Sequence, residues 1–433
     1  MSRINVDALH SEQGGSSNIE LDDSRNVTFK GNAQVDGNVT VTGTLPANKL
    51  TGALPAISGA SLTGIPTRTQ PFRNLVVNGA CKVAQRATTK AAHTGHGYFT
   101  VDRIYTSIGG ENEGREEAQI TLSSSDTGPW AKGFRHAFQV TNGNQTSTDA
   151  GDYLWAMLYL IEARDVANSN WNHKDPNSKL TISFWVKSSV AQNFYGYFRT
   201  SDGTSKYRAF ETGALSANTW TKITKTIPGH ADCQIDNDNG HGFQIYFYGY
   251  AGTDKTDSGV SLDTWYTWPN GSETTPDWPA SMDDWWRTND ATLAFTGLQV
   301  EAGDTATEFE HRSYGEELAR CHRYYQSWRA GAQGVAGTTS AIKMVITSHT
   351  VMRDFPSASI GGSGGWRFGD MVSWAGTASS PTINLYDQTD YTDKLNSGFT
   401  FELGGFSGLT TYRTYMWEPN GTYKSTIQLS SEL

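Results

Sequence analysis

Three six-residue units follow one another near the start of the chain, at residues 29–34, 35–40 and 41–46. Each unit has an apolar residue at its first and fifth positions and glycine at its third. In a strand these positions share one face, because side chains alternate from one face to the other. A strand this slender cannot bury an apolar face within its own chain. We therefore expect residues 26–70 to form an intertwined β shaft, in which copies of the chain pack around a common axis.

A flexible linker rich in glycine, serine and threonine is the alternative for the same segment. Two later phrases, residues 50–55 and 62–66, continue the spacing and end in proline. A linker has no need of Val, Leu and Ile at regular intervals, so the spacing favours the shaft.

Longer alternating segments with many aromatic residues begin at about Phe72. The clearest are residues 180–186, 243–248 and 293–300. Short segments with a period of two, separated by polar turns, are typical of a two-sheet sandwich. We predict an all-β fold and interpret residues 71–312 as a jelly-roll domain. The pattern returns in residues 329–433, which we interpret as a C-terminal β domain ending in a docked strand.

One helix is predicted between these two β regions. Ser313 and Glu316 have the spacing of a capping box, in which each side chain bonds to the other residue's backbone. The next residues of interest are Tyr314, Leu318, Cys321 and Tyr325, which are separated by four, three and four positions. This spacing places them on one face of a helix. We therefore expect an amphipathic helix over about 314–327, within a connecting segment 313–328.

Composition and charge exclude several classes of partner. The 433 residues carry 34 Lys and Arg against 44 Asp and Glu, which gives a formal charge of −10. This balance disfavours nucleic acid and anionic membranes as partners. The sequence has no apolar stretch long enough to span a bilayer and no secretion signal, so we expect a soluble product. Cys81, Cys233 and Cys321 are expected to be small buried residues in a reducing cytosol.

Residues 263–287 combine aromatic rings, charged side chains and three prolines. Sugars present apolar C–H faces edged by hydroxyl groups, and proteins bind them with flat rings flanked by polar side chains. We predict a glycan-binding surface in this loop. Its candidate residues are Tyr266, Trp268, Asp277, Trp278, Asp283, Trp285 and Arg287. The alternative is that the tryptophans pack the loop onto its own sandwich or onto a neighbouring chain, a role assigned to Trp265 and Trp286.

A second aromatic and polar cluster occupies residues 171–177. Its candidates for glycan binding are Trp171 and His173. The alternative is a solvated loop that Trp171 anchors.

No motif predicts catalysis, a cofactor or a metal. Asp232, Asp236 and Asp238 resemble a calcium loop but lack its bidentate glutamate, so an Asx-rich turn is favoured. Residues 361–365 match G-x-S-x-G without the strand and helix that a hydrolase requires. Asp283 and Asp284 are adjacent and would point to opposite faces of a strand, which disfavours a glycosidase pair.

Three passages of the sequence together resemble a known family. The opening passage consists of residues 74–79, Gln85-Arg86 and residues 99–105. The closing passage, which is longer and more specific, runs from 297 to 325. With the final residues 431–433, these passages resemble bacteriophage tail fibres that carry a carbohydrate-binding-like jelly roll. The resemblance covers roughly residues 72–433.

The resemblance implies a homotrimeric receptor-binding protein of the virion tail, made in the host cytoplasm. Residues 1–25 would attach to a tail or baseplate protein, and the jelly roll and C-terminal domain would contact a host-surface glycan without catalysis. A tailspike that depolymerises its glycan is the first alternative. A carbohydrate-binding module of a cell-surface protein is the second.

One departure from related jelly rolls concerns calcium. In those proteins an acidic residue that helps to hold the ion commonly follows the Asn-Gly of the opening passage. Here Ala80, Cys81 and Lys82 follow instead. An ammonium group beside a hard cation is unfavourable, so no calcium ion is expected at this position.

Overall fold

In the computed structural model of the chain, strands greatly outnumber helices. The residues described are 8–11, 14–21, 27–29, 73–107, 114–144, 153–251, 256, 259–267, 278–280, 282, 284–329, 332–362, 366–370, 372, 374–378, 381–386, 398–417 and 425–433. The chain divides into two compact units, Met1–Pro66 and Thr67–Leu433. Within the described ranges, no helix is long and apolar enough to span a bilayer.

The first unit contains a small antiparallel sheet. Its strands are β1 (Ala8–Ser11), β2 (Gly14–Leu21) and β3 (Val27–Phe29), with β2 in the centre. Residues 30–70 of the predicted shaft lie outside the described residues. The intertwined shaft, the trimer and the attachment role of residues 1–25 therefore stay predictions.

The second unit begins with two six-stranded antiparallel sheets. Their strands are β4 (Thr89–His93), β5 (Tyr105–Ser107), β6 (Arg115–Thr121), β7 (His136–Thr141), β8 (Tyr153–Glu162), β9 (Lys179–Ser188), β10 (Asn193–Thr200), β11 (Lys206–Ala214), β12 (Thr221–Pro228), β13 (His241–Ala251), β14 (Trp265–Thr267) and β15 (Thr292–Ala302). The first sheet has the order β14-β11-β10-β13-β8-β5 and the second the order β12-β9-β15-β7-β6-β4.

The two sheets share one apolar core. Phe247 of the first sheet packs against Phe184 and Phe295 of the second, with ring centroids 5.9 and 4.6 Å apart. All three rings are buried, as alternation along their strands requires. The prediction of an all-β sandwich in this region is confirmed. Two short helices, α1 (Ala163–Ala167) and α2 (Asp284–Arg287), lie in its connections.

Helix α3 (Tyr314–Cys321) begins where the sequence predicts, but it is shorter than expected. The capping box of Ser313 and Glu316 is present in full. The helix ends at Cys321 rather than near residue 327, because Tyr325 begins a strand that pairs with the end of the chain. The predicted apolar face also changes. Tyr314 is exposed, whereas Glu317 is buried.

Two further sheets follow the helix and enclose a second apolar core. Their strands are β16 (Tyr325–Trp328), β17 (Gln333–Ala336), β18 (Ala341–Thr347), β19 (Ser357–Gly361), β20 (Trp366–Gly369), β21 (Trp374–Ala378), β22 (Thr382–Leu385), β23 (Gly398–Gly404), β24 (Thr414–Trp417) and β25 (Thr426–Ser430). One sheet has the order β16-β25-β19 and the other β21-β20-β24-β17-β18-β23-β22. The final alternating segment is thus a docked strand, β25, as predicted.

The opening and closing passages are held together by buried hydrogen bonds. The Asn78 side chain accepts from Val83 N at 3.0 Å and donates to the carbonyls of Val83 and Asp102, both at 2.9 Å. Asn78 N donates to the Glu317 carboxylate of α3. Asn78 has φ 63°, a left-handed conformation that asparagine tolerates better than most residues. One asparagine therefore fixes a turn and joins it to a helix more than two hundred residues away.

The last residues of the chain dock against the same region. The buried guanidinium of Arg103 pairs with the Glu432 carboxylate and lies 3.5 Å from the centre of the Tyr324 ring. Arg103 also donates to the Leu160 carbonyl at 2.7 Å, and Tyr98 donates to the Leu433 carbonyl at 3.0 Å. These contacts connect the end of the chain, beyond β25, to the sandwich.

The buried ion pair should dominate the effect of removing Glu432. Glu432→Ala would leave the Arg103 guanidinium buried without its carboxylate, which typically costs about 3–5 kcal/mol. The change is measured as a lower midpoint of guanidinium unfolding at pH 7. Glu308→Ala is the matched control, because the Lys132–Glu308 pair is exposed and such pairs contribute about 0–1 kcal/mol. Equal shifts of the midpoint in both variants would contradict this role of the Arg103–Glu432 pair.

All three cysteines are buried and free, as predicted. Burial raises the pKa of the Cys81 thiol to about 12 and that of Cys233 to about 11, and it raises the pKa of Cys321 well above the usual value. The thiolate is the reactive form, so Ellman's reagent should label no cysteine in the native protein and three after denaturation. A Ser124→Cys variant, at an exposed position, should react without denaturant. Rapid native labelling of the unmodified chain would refute this assignment.

Candidate functional site

A row of four tyrosines crosses the outer face of the first sheet. Tyr266, Tyr207, Tyr197 and Tyr246 lie on the neighbouring strands β14, β11, β10 and β13. Tyr266 is paired with Tyr207 across its strand boundary, and Tyr197 with Tyr246. Successive ring centroids are 5.6, 6.1 and 4.3 Å apart. We call these four residues the tyrosine row.

The row faces outward because its neighbours along each strand face inward. Phe198, Phe210 and Ile245 alternate with the tyrosines and belong to the sandwich core. Tyr246 and Tyr266, the two ends of the row, are partly exposed, whereas Tyr197 and Tyr207 in the middle are buried. The ends of the row are therefore the rings that a ligand can reach.

Trp278 covers the middle of the row. Its ring lies 4.4 Å from Tyr248 and 5.9 Å from Tyr197, and its Nε1 donates to the Gly196 carbonyl at 3.2 Å. The side chain is 0% exposed. The expectation that Trp278 presents an open ring at the loop surface is therefore corrected, because the ring packs the loop onto the sandwich.

The same correction applies to Trp285 on α2. Its side chain is 1% exposed, and its backbone N–H donates to Gln192 Oε1 at 2.7 Å. Trp286, which the sequence assigned to the core, is buried beside Tyr250. Both rings turn inward because α2 is a single turn packed on the sandwich. Arg287, at the end of the same helix, is exposed.

The second predicted cluster is divided by the fold. Trp171 is buried and packs edge-on against Phe243, with centroids 5.9 Å apart, so its ring is also removed from the surface. His173 is half-buried, and its carbonyl accepts from His230 N at 2.8 Å. Desolvation lowers the pKa of the His173 imidazole, and the nearby Lys174 lowers it further. Trp171 thus anchors the loop that carries His173.

Trp268, Asp277 and Asp283 lie outside the described residues. Their predicted part in glycan binding stays a prediction.

Hydrogen-bonding side chains flank the Tyr246 end of the row. The Tyr246 hydroxyl donates to Gln244 Oε1 at 2.9 Å, and Gln244 Nε2 donates to Ser201 Oγ at 2.6 Å. Arg199 lies opposite Gln244 on the adjacent strand and donates to Ser205 Oγ at 3.3 Å. A partly exposed ring therefore stands beside an amide and a guanidinium.

A second polar group lies near the Tyr266 end, at strand positions that alternate with those of the row. Lys206 Nζ donates to Thr267 Oγ1 at 2.9 Å and to Asp232 Oδ2 at 3.0 Å. The hydrogen bond and charge of Lys206 lower the pKa of the exposed Asp232 carboxyl. His230 stands beside Asp232 and links this group through the backbone to His173. The structure thus brings two of the predicted candidates, His173 and Tyr266, to the same end of the sheet.

The acidic turn near residue 238 forms as an Asx turn. Asp238 Oδ1 accepts from Gly240 N at 2.8 Å. Among the described residues, no group of three or more His, Cys, Asp or Glu is arranged to hold a metal ion. Aromatic rings such as those at the ends of the tyrosine row can pack against apolar faces of a ligand, and polar side chains beside them can bond to hydroxyl groups.

The sequence reasoning missed Tyr197, Tyr207 and Tyr246, together with Arg199 and Gln244. Their signal was present in alternating runs such as residues 243–248. This alternation shows that alternate residues share a face, but it does not show which face the second sheet covers. The outward orientation of the tyrosines could therefore not be predicted from it.

No protein-family model matches the sequence, and no curated protein is similar enough to count as a relative. Among solved structures, the enzymatically active domain of tailspike protein 4 of bacteriophage CBA120 aligns with 54% of this chain and 22% of its own, at 9% identity and a TM-score of 0.27.

A family 11 carbohydrate-binding module from Clostridium thermocellum, in complex with a mixed-linked tetrasaccharide, aligns with 48% of this chain and 91% of its own, at 13% identity and a TM-score of 0.21. A family 30 carbohydrate-binding module aligns with 46% and 80%, at 8% identity and a TM-score of 0.22. At these scores the alignments do not establish a common fold.

Proposed function

We propose that this chain is the receptor-binding protein of a bacteriophage tail fibre, and that it attaches the virion to a host-surface glycan without catalysis. The tyrosine row is the observation that carries the glycan-binding part of the proposal. The attachment role rests on the resemblance of the opening and closing passages to tail fibres and on the six-residue units at residues 29–46.

The row suits a linear glycan that lies across the strands. Neighbouring strands are about 4.8 Å apart, so four strands place the outer rings about 14 Å apart. The rings at the two ends, Tyr246 and Tyr266, would contact the apolar faces of separate sugar units. Arg199, which is partly exposed and shares the face of Tyr246, would bond to the hydroxyl groups of the nearer unit.

The polar groups are already positioned by the fold. Gln244 accepts from the Tyr246 hydroxyl and donates to Ser201, and Arg199 donates to Ser205. Side chains fixed in this way lose little freedom when a ligand binds, which favours affinity. Each site would nevertheless be weak, since it consists of two partly exposed rings. Three chains per fibre and several fibres per virion would multiply weak contacts into firm attachment.

Loss of one outer ring should weaken glycan binding in a measurable way. Tyr246→Ala and Tyr266→Ala are each expected to remove about 1 kcal/mol of stacking, about fivefold in Kd, on an array of linear oligosaccharides. Tyr246→Phe keeps the ring and should bind within about twofold of the unchanged chain. Tyr314→Ala, which removes an exposed tyrosine from α3, is the control and should bind normally.

Two outcomes would overturn the proposal. Normal binding by both Tyr246→Ala and Tyr266→Ala would remove the tyrosine row from the site. The unchanged chain can also be incubated with the glycan that it binds. If new reducing ends appear, the chain depolymerises the glycan and the proposal of attachment without catalysis is wrong.

The trimer has its own test at residues 29–46. Sedimentation of the full chain at micromolar concentration should give three times the mass of one 47.4 kDa chain. Val39→Asp places a charge on the predicted apolar face and should raise the concentration needed for assembly. Asn38→Asp, on the opposite face of the same unit, should assemble normally. A 47.4 kDa species for the unchanged chain would exclude the shaft.

A further inference from the structure

The outer face of the seven-stranded sheet is open in the described part of the chain. Along β18, Ile342, Met344 and Ile346 are buried in the second core, while Lys343 and Val345 between them are exposed, Val345 to 61%. This face belongs to the C-terminal sheets and lies outside the tyrosine row and its polar ends. It carries one concentrated group of aromatic and polar side chains.

That group is centred on Tyr386, which follows β22 and is 39% exposed. Its hydroxyl donates to Glu402 Oε2 at 2.9 Å, and Lys343 Nζ lies 5.0 Å from the centre of its ring. Asn384 is paired with Glu402 across the strand boundary, and Glu402 with Lys343. We call these four residues the Tyr386 cluster.

The strand register explains why the cluster forms. Asn384, Glu402 and Lys343 occupy adjacent positions on β22, β23 and β18, so their side chains emerge side by side on the open face. Their inward neighbours Phe401 and Met344 are buried and hold the strands in place. A constellation carried on paired strands is positioned more precisely than one carried on a loop.

The contacts within the cluster add little to folding. Exposed charged and polar pairs typically contribute about 0–1 kcal/mol. Within the described ranges, Lys343 makes no ion pair, and its ammonium group is held only over the Tyr386 ring. The three donors of this ammonium and the acceptor oxygens of Glu402 therefore project from directly paired positions on the same face of the sheet.

A neutral sugar unit matches this arrangement. Two adjacent hydroxyl groups of a hexose can donate to a carboxylate and accept from an ammonium placed beside it, and the Asn384 amide offers both functions. The apolar C–H face of the sugar can pack on an aromatic ring. Lys343 and Glu402 have opposite charges, so the cluster has no net preference for an acidic sugar.

We propose that the Tyr386 cluster is a second glycan-contact surface, which binds one neutral hexose unit through a pair of adjacent hydroxyls. The inference rests on the proposed function and extends it from the sandwich to the C-terminal sheets. Each chain then offers two separate contacts to the host glycan, and their combined affinity exceeds that of either one.

The test compares variants on an array of linear neutral and acidic oligosaccharides. Tyr386→Ala and Lys343→Gln are each expected to weaken binding of neutral glycans by about fivefold. In the Tyr246→Ala background, Tyr386→Ala should remove most of the remaining signal, because the two surfaces contribute separately. Tyr412→Ala is the matched control, since Tyr412 is an 86% exposed tyrosine in the turn before β24, outside the cluster. It should bind like the unchanged chain.

The outcomes separate this inference from the proposed function. Normal binding by Tyr386→Ala, together with weakened binding by Tyr246→Ala, overturns the second surface and leaves the first. An equal loss in Tyr386→Ala and Tyr412→Ala also overturns it, since the effect would then be general. Failure of the unchanged chain to bind any glycan overturns both. Circular dichroism and unfolding midpoints of the variants confirm that binding losses do not reflect unfolding.

Discussion

The hydrogen bonds around Asn78 hold together segments that are remote in the sequence. Asn78 fixes the turn of the opening passage and donates its backbone N–H to Glu317 of α3. Close by, the Arg103–Glu432 pair attaches the end of the chain to the sandwich. Buried polar groups such as these are costly unless they are paired, so the arrangement is tolerated only when all the partners are in place.

The need to satisfy buried groups also explains why the opening and closing passages occur together. Arg312, which precedes the N-cap residue of α3, donates to the carbonyls of Asn74 and Val76 at 2.6 and 3.0 Å. Glu310 accepts from Asn74 N at 2.7 Å. The residues on which the resemblance to tail fibres rests are thus structural connectors. These residues hold the opening and closing passages together. Glycan contact is proposed for other side chains, on the outer faces of the sheets.

In the sandwich, the residues that stabilise the core and the residues proposed for binding lie on opposite faces of the same strands. In the first sheet, Phe198 and Ile245 face the second sheet, whereas Tyr197 and Tyr246 project from the opposite side, where Trp278 packs over Tyr197. The loop of residues 263–287 was expected to present its tryptophans to a ligand, but two of them are buried instead. Trp278 and Trp285 leave the solvent and cover the sandwich. Burial of a large apolar ring is favoured in free energy over its exposure to water. The tyrosines of the first sheet offer Trp278 an aromatic surface on which to pack.

The sequence alone determined the class of the fold, the start of α3, the buried cysteines and the docking of β25. The fold class, the start of α3 and the docking of β25 each follow from a local rule: the strand period, the capping box of Ser313 and Glu316, or an alternating apolar segment. The burial of the cysteines follows from their odd number and wide spacing, which fit neither a disulfide framework nor a metal-binding pair. The end of α3 at Cys321 and the outward face of the tyrosine row were decided by tertiary structure. A periodic pattern groups residues by face, but only the packing of one sheet on another selects the face that meets solvent, because burial is a property of distant contacts.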